Sequence, residues 1–306
     1  MPQGFEKMLL RKILRRGKKV VRDIADVRRR NVLRTKPRPP RPIITLDDLP
    51  SRAALVVMAH PDDEAIATGA LLARFPRAGV ICVTDGAPRK GNFVRNAGFD
   101  NWMDYASVRR GEAEAALALL GRKIEPMRNL GIADLEASLN LVPAARYLAG
   151  TIRSGFSHVI THAYEGGHPD HDSAAFCVHA ACALIAKAGG TPPVIVEAPL
   201  YNAPEGSFQH SIFVPHADAG PVAVFKLSPA EQDLKRRMFD CYVTQRAVFD
   251  KFDGTQETYR LAPRYHFSAP PYPSDFCYNM GAFTGAVFRK HAWRAMHELG
   301  VWEELA

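Results

Sequence analysis

"AALVVMAHPDDE", residues 53–64, decides how this chain folds. The apolar run Ala53–Met58 has the length and the β-branched content of a strand buried on both faces. Pro61 then suits the first turn of a helix, where its missing N–H costs nothing, and Asp62, Asp63 and Glu64 complement the positive helix end. The stretch therefore reads as a strand-to-helix junction. Three adjacent carboxylates repel one another unless something positive offsets them. That partner is either the helix terminus alone or a metal ion. His60 is not explained by capping.

A second stretch has the same form. "THAYEGGHPDHD", residues 161–172, follows the apolar run 158–163 and precedes another helical pattern, and it repeats the His-Pro-Asp unit at 168–170. Two such units at two strand-to-helix junctions are hard to attribute to two coincidental caps. His60, Asp63 and His171 make a His₂-carboxylate set, and three protein ligands leave a fourth position for water, as in catalytic rather than structural zinc sites.

Working outward, the spacing predicts strands at 53–59, 79–84, 124–129, 158–163 and 194–199, and helices at about 63–75, 104–120, 134–149 and 172–188. Strands alternating with helices of this length indicate an α/β fold: a mostly parallel sheet with helices on both faces. In such sheets functional groups collect outside the carboxyl ends of the strands. After Leu200 the pattern is more irregular, with a strand near 222–227 and helices near 229–242 and 288–299. The loop 262–278 sets Tyr265, Phe267, Tyr272, Phe276 and Tyr278 among prolines. It reads either as a coil covering the core or as a rim for a sugar ring. No phosphate-binding glycine loop is present in the sequence.

The chain has 306 residues, 47% of them apolar, which suits one large domain or two small ones. Five cysteines, Cys82, Cys177, Cys182, Cys241 and Cys277, lack CxxC spacing and read as small core residues in a reducing compartment. No run approaches the length of a spanning helix, and the basic N-terminus lacks the apolar segment of a signal peptide, so a cytoplasmic location is expected. The formal charge of +8 is unevenly spread. Residues 1–42 hold 15 Lys and Arg against three acidic residues, whereas the rest holds 25 against 29. The expected organisation is a basic, proline-rich tail (1–42) and one catalytic domain (43–306), with 200–306 as a substrate-side elaboration. Apolar residues at near-helical spacing in the tail predict peripheral contact with an anionic membrane, against a solvated basic arm; no nucleic-acid partner is expected.

"AHPDDE" with the downstream "HPDH" resembles the PIG-L/LmbE-like metal-dependent N-deacetylases. "TDG" (84–86), "RRGEAEAALALLG" (109–121), "LGIAD" (130–134) and "YVTQ" (242–245) follow in the family's order. The resemblance implies a Rossmann-like fold and a hydrolase that removes an N-acetyl group from a glucosamine-type sugar in a glycoconjugate or its precursor. It implies Zn²⁺, or another divalent ion such as Fe²⁺, held by His60, Asp63 and His171, with Asp62 as general base and His168 supporting the intermediate or protonating the leaving amine. Asp170 or Asp172 would orient a histidine from behind. Arg109 matches a substrate-contacting arginine, or is a solvated helix charge. Asp134 matches an acidic residue that binds sugar hydroxyls, or is a helix cap. Asp85 reads as a turn residue, Gln245 is a weaker match, and Tyr164 stands near the position of a tyrosine that assists the intermediate. An amidase for a larger acyl group, or a non-catalytic carbohydrate- or nucleic-acid-binding module, are the alternative functions.

Overall fold

The run that opens the fold, β1 (Ala54–Met58), is buried along its whole length and lies in the middle of a seven-stranded sheet. The computed structural model describes residues 46–121, 124–204, 206, 208–272 and 284–305. The tail 1–42 and the end of the aromatic loop, with Phe276, Cys277 and Tyr278, lie outside these.

In chain order the strands are β1, β2 (Ala78–Pro88), β3 (Arg128–Asp134), β4 (His158–His162), β5 (Val194–Ala198), β6 (Tyr201–Asn202), β7 (Gln209–His210), β8 (Val222–Lys226) and β9 (Gln256–Leu261). The longer helices are α1 (Asp63–Leu72), α2 (Trp102–Ala118), α3 (Leu141–Ile152), α4 (Pro169–Lys187), α5 (Pro229–Asp240) and α6 (Gly285–Leu299). The sheet order is β3-β2-β1-β4-β5-β9-β8. The first five strands are parallel; β9 and β8 extend the sheet antiparallel, and β6 pairs with β7 in a separate hairpin. The fold is thus Rossmann-like and mostly parallel.

Successive side chains of β1 point to opposite faces and feed two cores. Leu55 and Val57 join Leu148, Phe176 and Phe288 from α3, α4 and α6. Val56 and Met58 join Leu71, Ala116 and Met238 from α1, α2 and α5. Each fully buried Val, Leu or Met contributes about 1.5–3 kcal/mol, so this strand cannot be moved without losing both layers.

From β1 the chain runs to β2 and β3 on one side, then returns to β4 and β5 on the other. The crevice between β1 and β4 is the switch point at which α/β sheets bind ligands. Both His-Pro-Asp units open onto it.

The structure differs from the sequence reading most clearly at three boundaries and in one strand. The third strand is not 124–129 but begins at Arg128, because Pro126 offers no N–H to the ladder; Ile124 makes only an isolated bridge to Ala78. The helix expected at 134–149 begins at Leu141: Leu135 takes a left-handed φ of 69° and Ala137–Leu139 form a 3₁₀ turn. The helix expected at 172–188 begins one turn earlier, with Pro169 in the first helical position. Strand β9 was not anticipated, because "QETYRL" carries charges on the side that the protein buries.

Candidate active site

Three strand ends and one helix start bring the candidate residues together. His60 lies two residues beyond β1, Asp134 ends β3, His162 ends β4 and His168 caps α4. All four stand on the carboxyl-terminal edge of the sheet.

The turn after β1 is tied by Asp63, whose Oδ2 accepts the His60 backbone N–H at 2.8 Å and stands 3.1 Å from His60 Nδ1. Its Oδ1 is 3.5 Å from His171 Nε2, and the His60 and His171 rings are 5.2 Å apart. The three expected ligands are therefore neighbours. Among the described residues four groups could hold an ion: His60/His168/His171, Asp63/His162/His171, His60/Asp134/Asp170 and His60/Asp62/Asp63; the expected set of His60, Asp63 and His171 is divided among three of them and is not itself one. Burial alone would raise the Asp63 carboxyl, yet the imidazoles of His171, His60 and His162 hold it well below the usual carboxylate range. Burial, followed by the neighbouring His162, keeps His171 well below the usual imidazole value and hence neutral, the form that ligates a metal.

Asp62 is held differently. Its backbone has φ 154° and ψ −31°, a region a non-glycine residue rarely adopts and one that costs on the order of 1–3 kcal/mol. The turn is over-determined by its neighbours. Glu64 Oε2 accepts the Asp62 N–H at 3.1 Å, and Glu64 Oε1 accepts the hydroxyl of Tyr242. Arg109 is buried, and its Nη2 donates to Asp62 Oδ2 at 2.8 Å and to the Pro61 carbonyl at 3.0 Å; its Nη1 donates to the Gly86 carbonyl. Burial pushes the Asp62 carboxyl up to about 7 against the pull of that guanidinium. Gly86, with φ 69°, is required here: a Cβ would stand 2.9 Å from the Arg109 guanidinium carbon.

His168 accepts the Asp170 N–H on Nδ1 at 3.2 Å, which leaves its proton on Nε2. Burial, followed by His60, lowers its pKa, so the ring is a neutral donor. Asp170 accepts the N–H groups of Leu135 and Ala137 and lies 3.4 Å from His60 Nε2. Asp172 instead accepts the N–H groups of Glu165 and Gly166, fixing the loop that precedes His168. Of the two acids weighed for orienting a histidine, Asp170 faces the His60 ring.

Several expectations are corrected. Tyr164 does not reach this cluster: its hydroxyl donates to the Ala269 carbonyl at 2.7 Å and its ring packs on Tyr265, Phe267 and Phe288 in the core. Arg109 is not a solvated helix charge: it is buried, and its two Nη atoms donate to Asp62 and two carbonyls, while its Nε has no hydrogen-bond partner among the described residues. Asp134 is not a helix cap; its Oδ1 lies 3.2 Å from His60 Nε2. Asp85 accepts the Ala87 N–H, as a turn residue does, and pairs with Arg89. Gln245 donates to the Tyr105 hydroxyl rather than entering the cluster. Tyr265, Phe267 and Tyr272 are buried, so the described part of the aromatic loop covers the core and offers no rim.

Two residues were missed. His162 stacks on His171 with ring centres 4.1 Å apart, lies 3.3 Å from Asp63 Oδ2 and accepts the Ala59 N–H. Its only signal was a histidine at the end of a predicted buried strand, the same argument that singled out His60. Tyr201, at the start of β6, sets its ring against His171 at 5.0 Å. Nothing in its local sequence marks it.

The chemistry of the donor set can be tested on its unpaired atoms. Among the described residues His162 Nδ1 and His171 Nδ1 are buried without a hydrogen-bond partner, and His60 Nε2 faces only the carboxylates of Asp134 and Asp170, at 3.2 and 3.4 Å, without a well-aligned hydrogen bond. Buried polar atoms are normally paired, and imidazole nitrogens mixed with carboxylates suit zinc and similar divalent ions. The residues fit a metal.

Comparison with known proteins agrees with this geometry. Residues 55–182 match the family model described as PIG-L, GlcNAc-PI de-N-acetylase. A 1D-myo-inositol 2-acetamido-2-deoxy-alpha-D-glucopyranoside deacetylase of Catenulispora acidiphila is 32% identical over 164 residues, 45% of this chain and 53% of that protein. The chain thus spans about half the length of the curated relative it matches. Among solved structures, the A40926 pseudoaglycone deacetylase superposes with a TM-score of 0.54 at 20% identity, over 69% of this chain and 96% of that one. The deacetylase of teicoplanin biosynthesis gives 0.53 at 19%, over 68% and 96%. The matched segment, residues 55–182, holds both His-Pro-Asp junctions, and it is this part of the chain that is similar to the PIG-L family.

Proposed function

We propose that the cluster is the active site of a metal-dependent hydrolase that removes the acetyl group from an N-acetylated amino sugar. The observation that carries this reading is a division of the acids. Asp63 is surrounded by three imidazoles, whereas its neighbour Asp62 has a strained backbone and is held by Arg109. One acid is arranged to ligate and the other to take a proton. The named relatives support the substrate class: their names describe deacetylases of an acetamido sugar and of a pseudoaglycone.

His60, Asp63 and His171 would hold the ion, zinc by preference for this mixed set. When bound, such an ion supplies Lewis acidity toward the acetamide oxygen and acidifies a water. Asp62 accepts the proton of the attacking water on the carboxylate oxygen that Arg109 leaves free, while Arg109 fixes the carboxylate's direction. His168, with its proton on Nε2, donates toward the oxygen that gains charge or to the departing nitrogen. Asp170 keeps His168 in that tautomer through its backbone N–H and steadies His60 through its carboxylate. The products are acetate and a free amine.

Among the described residues no helix is long and apolar enough to cross a membrane. We further propose a cytoplasmic enzyme whose tail, 15 basic against three acidic residues, rests on an anionic membrane surface. The function is tested by incubating the metal-loaded full chain with a panel of N-acetylhexosamine conjugates. Equal release of acetate and primary amine from at least one conjugate is expected. Release of a larger acyl group, or of no amine from any conjugate, would overturn the reading.

A further inference from the structure

An aromatic strip leads out of the cluster on one side. Tyr201 packs edge-on against His171, Phe208 lies 6.2 Å from Tyr201, and His210 lies 6.4 Å from Phe208 with the two rings nearly parallel. Phe208 is 63% exposed although it stands beside a buried site. The hairpin of β6 and β7 that carries these rings is anchored from below. The buried Glu165 accepts the N–H groups of Leu200 and Tyr201 and the side-chain amide of Asn202, which also donates to the Ile212 carbonyl. Gly167 lies so close that a Cβ there would meet the Tyr201 carbonyl oxygen at 1.8 Å. The hairpin is therefore fixed to the very loop that delivers His168 and His171.

An exposed aromatic ring costs solubility and, on this hairpin, packs no core. Held at a fixed place beside a hydrolytic site, such rings offer flat apolar faces to a flat ligand. We infer that Tyr201 and Phe208 form a stacking subsite for the ring attached to the reacting amino sugar. This rests on the reading of the site as an amino-sugar deacetylase. The shared chemistry of the occupant is a flat apolar face, supplied either by an aryl group or by the C–H face of a second pyranose. Tyr201 lies next to the reacting sugar and Phe208 one ring further out. The subsite selects the attached group and takes no part in the bond that breaks.

The test compares three substrates of the full metal-loaded chain: N-acetylglucosamine, its 4-nitrophenyl glycosides and its disaccharides. The wild type should favour a two-ring substrate over the free sugar. Phe208→Ala should lower kcat/KM for the two-ring substrate by about threefold to tenfold through KM. It should leave the free sugar unchanged, and Phe208→Trp should restore the preference. Loss for the aryl glycoside alone assigns the subsite to an aryl group; loss for the disaccharide alone assigns it to a pyranose. Equal kcat/KM ratios in wild type and Phe208→Ala would overturn the subsite. If none of the three is hydrolysed, the deacetylase reading fails separately, and the dissociation constants of the same compounds decide the subsite: an unchanged affinity in Phe208→Ala overturns it.

Discussion

Two of the regions in which this molecule buries charge do so in opposite ways. Beneath α1, Lys235 and Glu257 form a sequestered pair with Nζ and Oε1 2.8 Å apart. Lys235 also donates to the Ile66 carbonyl, and Glu257 accepts the N–H groups of Ala70 and Leu71 and the Tyr259 hydroxyl. The pair binds the backbone of α1 and leaves both charges satisfied. At the carboxyl edge of the sheet, by contrast, two imidazole nitrogens of one stacked pair, His162 Nδ1 and His171 Nδ1, have no hydrogen-bond partner among the described residues, and Asp62 sits in a strained conformation. Burial of charge is common to both. Unsatisfied valence together with backbone strain marks only the second, and that combination points to a bound ion and to chemistry.

The largest effect should come from breaking the second region. Asp62→Asn keeps the size of the side chain but removes the proton acceptor, so kcat/KM should fall by about 10²- to 10⁴-fold. The melting temperature should fall, since the amide leaves the buried Arg109 guanidinium without its charge partner while the strained backbone stays as it is. Less than a tenfold loss would remove Asp62 from the role of base.

Glu257→Gln breaks the first region instead. It leaves Lys235 charged and uncompensated, and urea unfolding should show a loss of about 3–5 kcal/mol. The fraction that remains folded should turn over at close to the wild-type kcat. Adding Lys235→Met should recover much of that stability. A single variant with unchanged stability but impaired turnover would invert the distinction between the regions.

Arg109 joins the two kinds of interaction, being a buried, charge-paired cation that acts on the functional acid. Its charge favours the carboxylate form of Asp62, which must be deprotonated to act as base. Activity rises as pH rises through the pKa of that group, so Arg109→Met should move the acid limb of kcat/KM to higher pH. On that limb, activity at a fixed pH should fall about tenfold for each pH unit the limb moves, and it should recover at more alkaline pH. An acid limb that stays in place would show that Arg109 does not act through Asp62. The smallest effect should follow Tyr242→Phe, which removes the hydroxyl from Glu64 and only indirectly loosens the Asp62 turn. A loss of about 0.5–1.5 kcal/mol in stability and a few-fold loss in kcat are expected.

How much of this was legible in the sequence follows from the range of each interaction. The β1 junction was legible because its signals are local: an apolar run, a proline, acids at a helix start. The recurrence of His-Pro-Asp made the second junction legible for the same reason. Arg109 was ambiguous because its partner, Asp62, lies 47 residues away in sequence and nothing local distinguishes a buried arginine from a solvated one. The other motif matches proved to be ties of the same long-range kind: Glu112 accepts from Thr244, and Tyr242 donates to Glu64. Tyr164 misled because it adjoins the HPDH loop in sequence, while the strand geometry turns it into the core. Tyr201 was invisible because β6 has only two residues and acquires its place from Glu165, far back in the chain.

The central claim is that the imidazole-rich set around Asp63 holds a divalent ion and that Asp62 does not. Its most direct test is the metal content of purified wild type, Asp62→Asn and His171→Ala after the same dialysis, read by elemental analysis together with the melting temperature before and after chelation. Wild type and Asp62→Asn should each retain about one equivalent and melt lower once chelated, as expected for a site with three protein ligands. His171→Ala should retain little and be indifferent to the chelator. Metal retained at the wild-type level in His171→Ala, or lost in Asp62→Asn, would contradict the account.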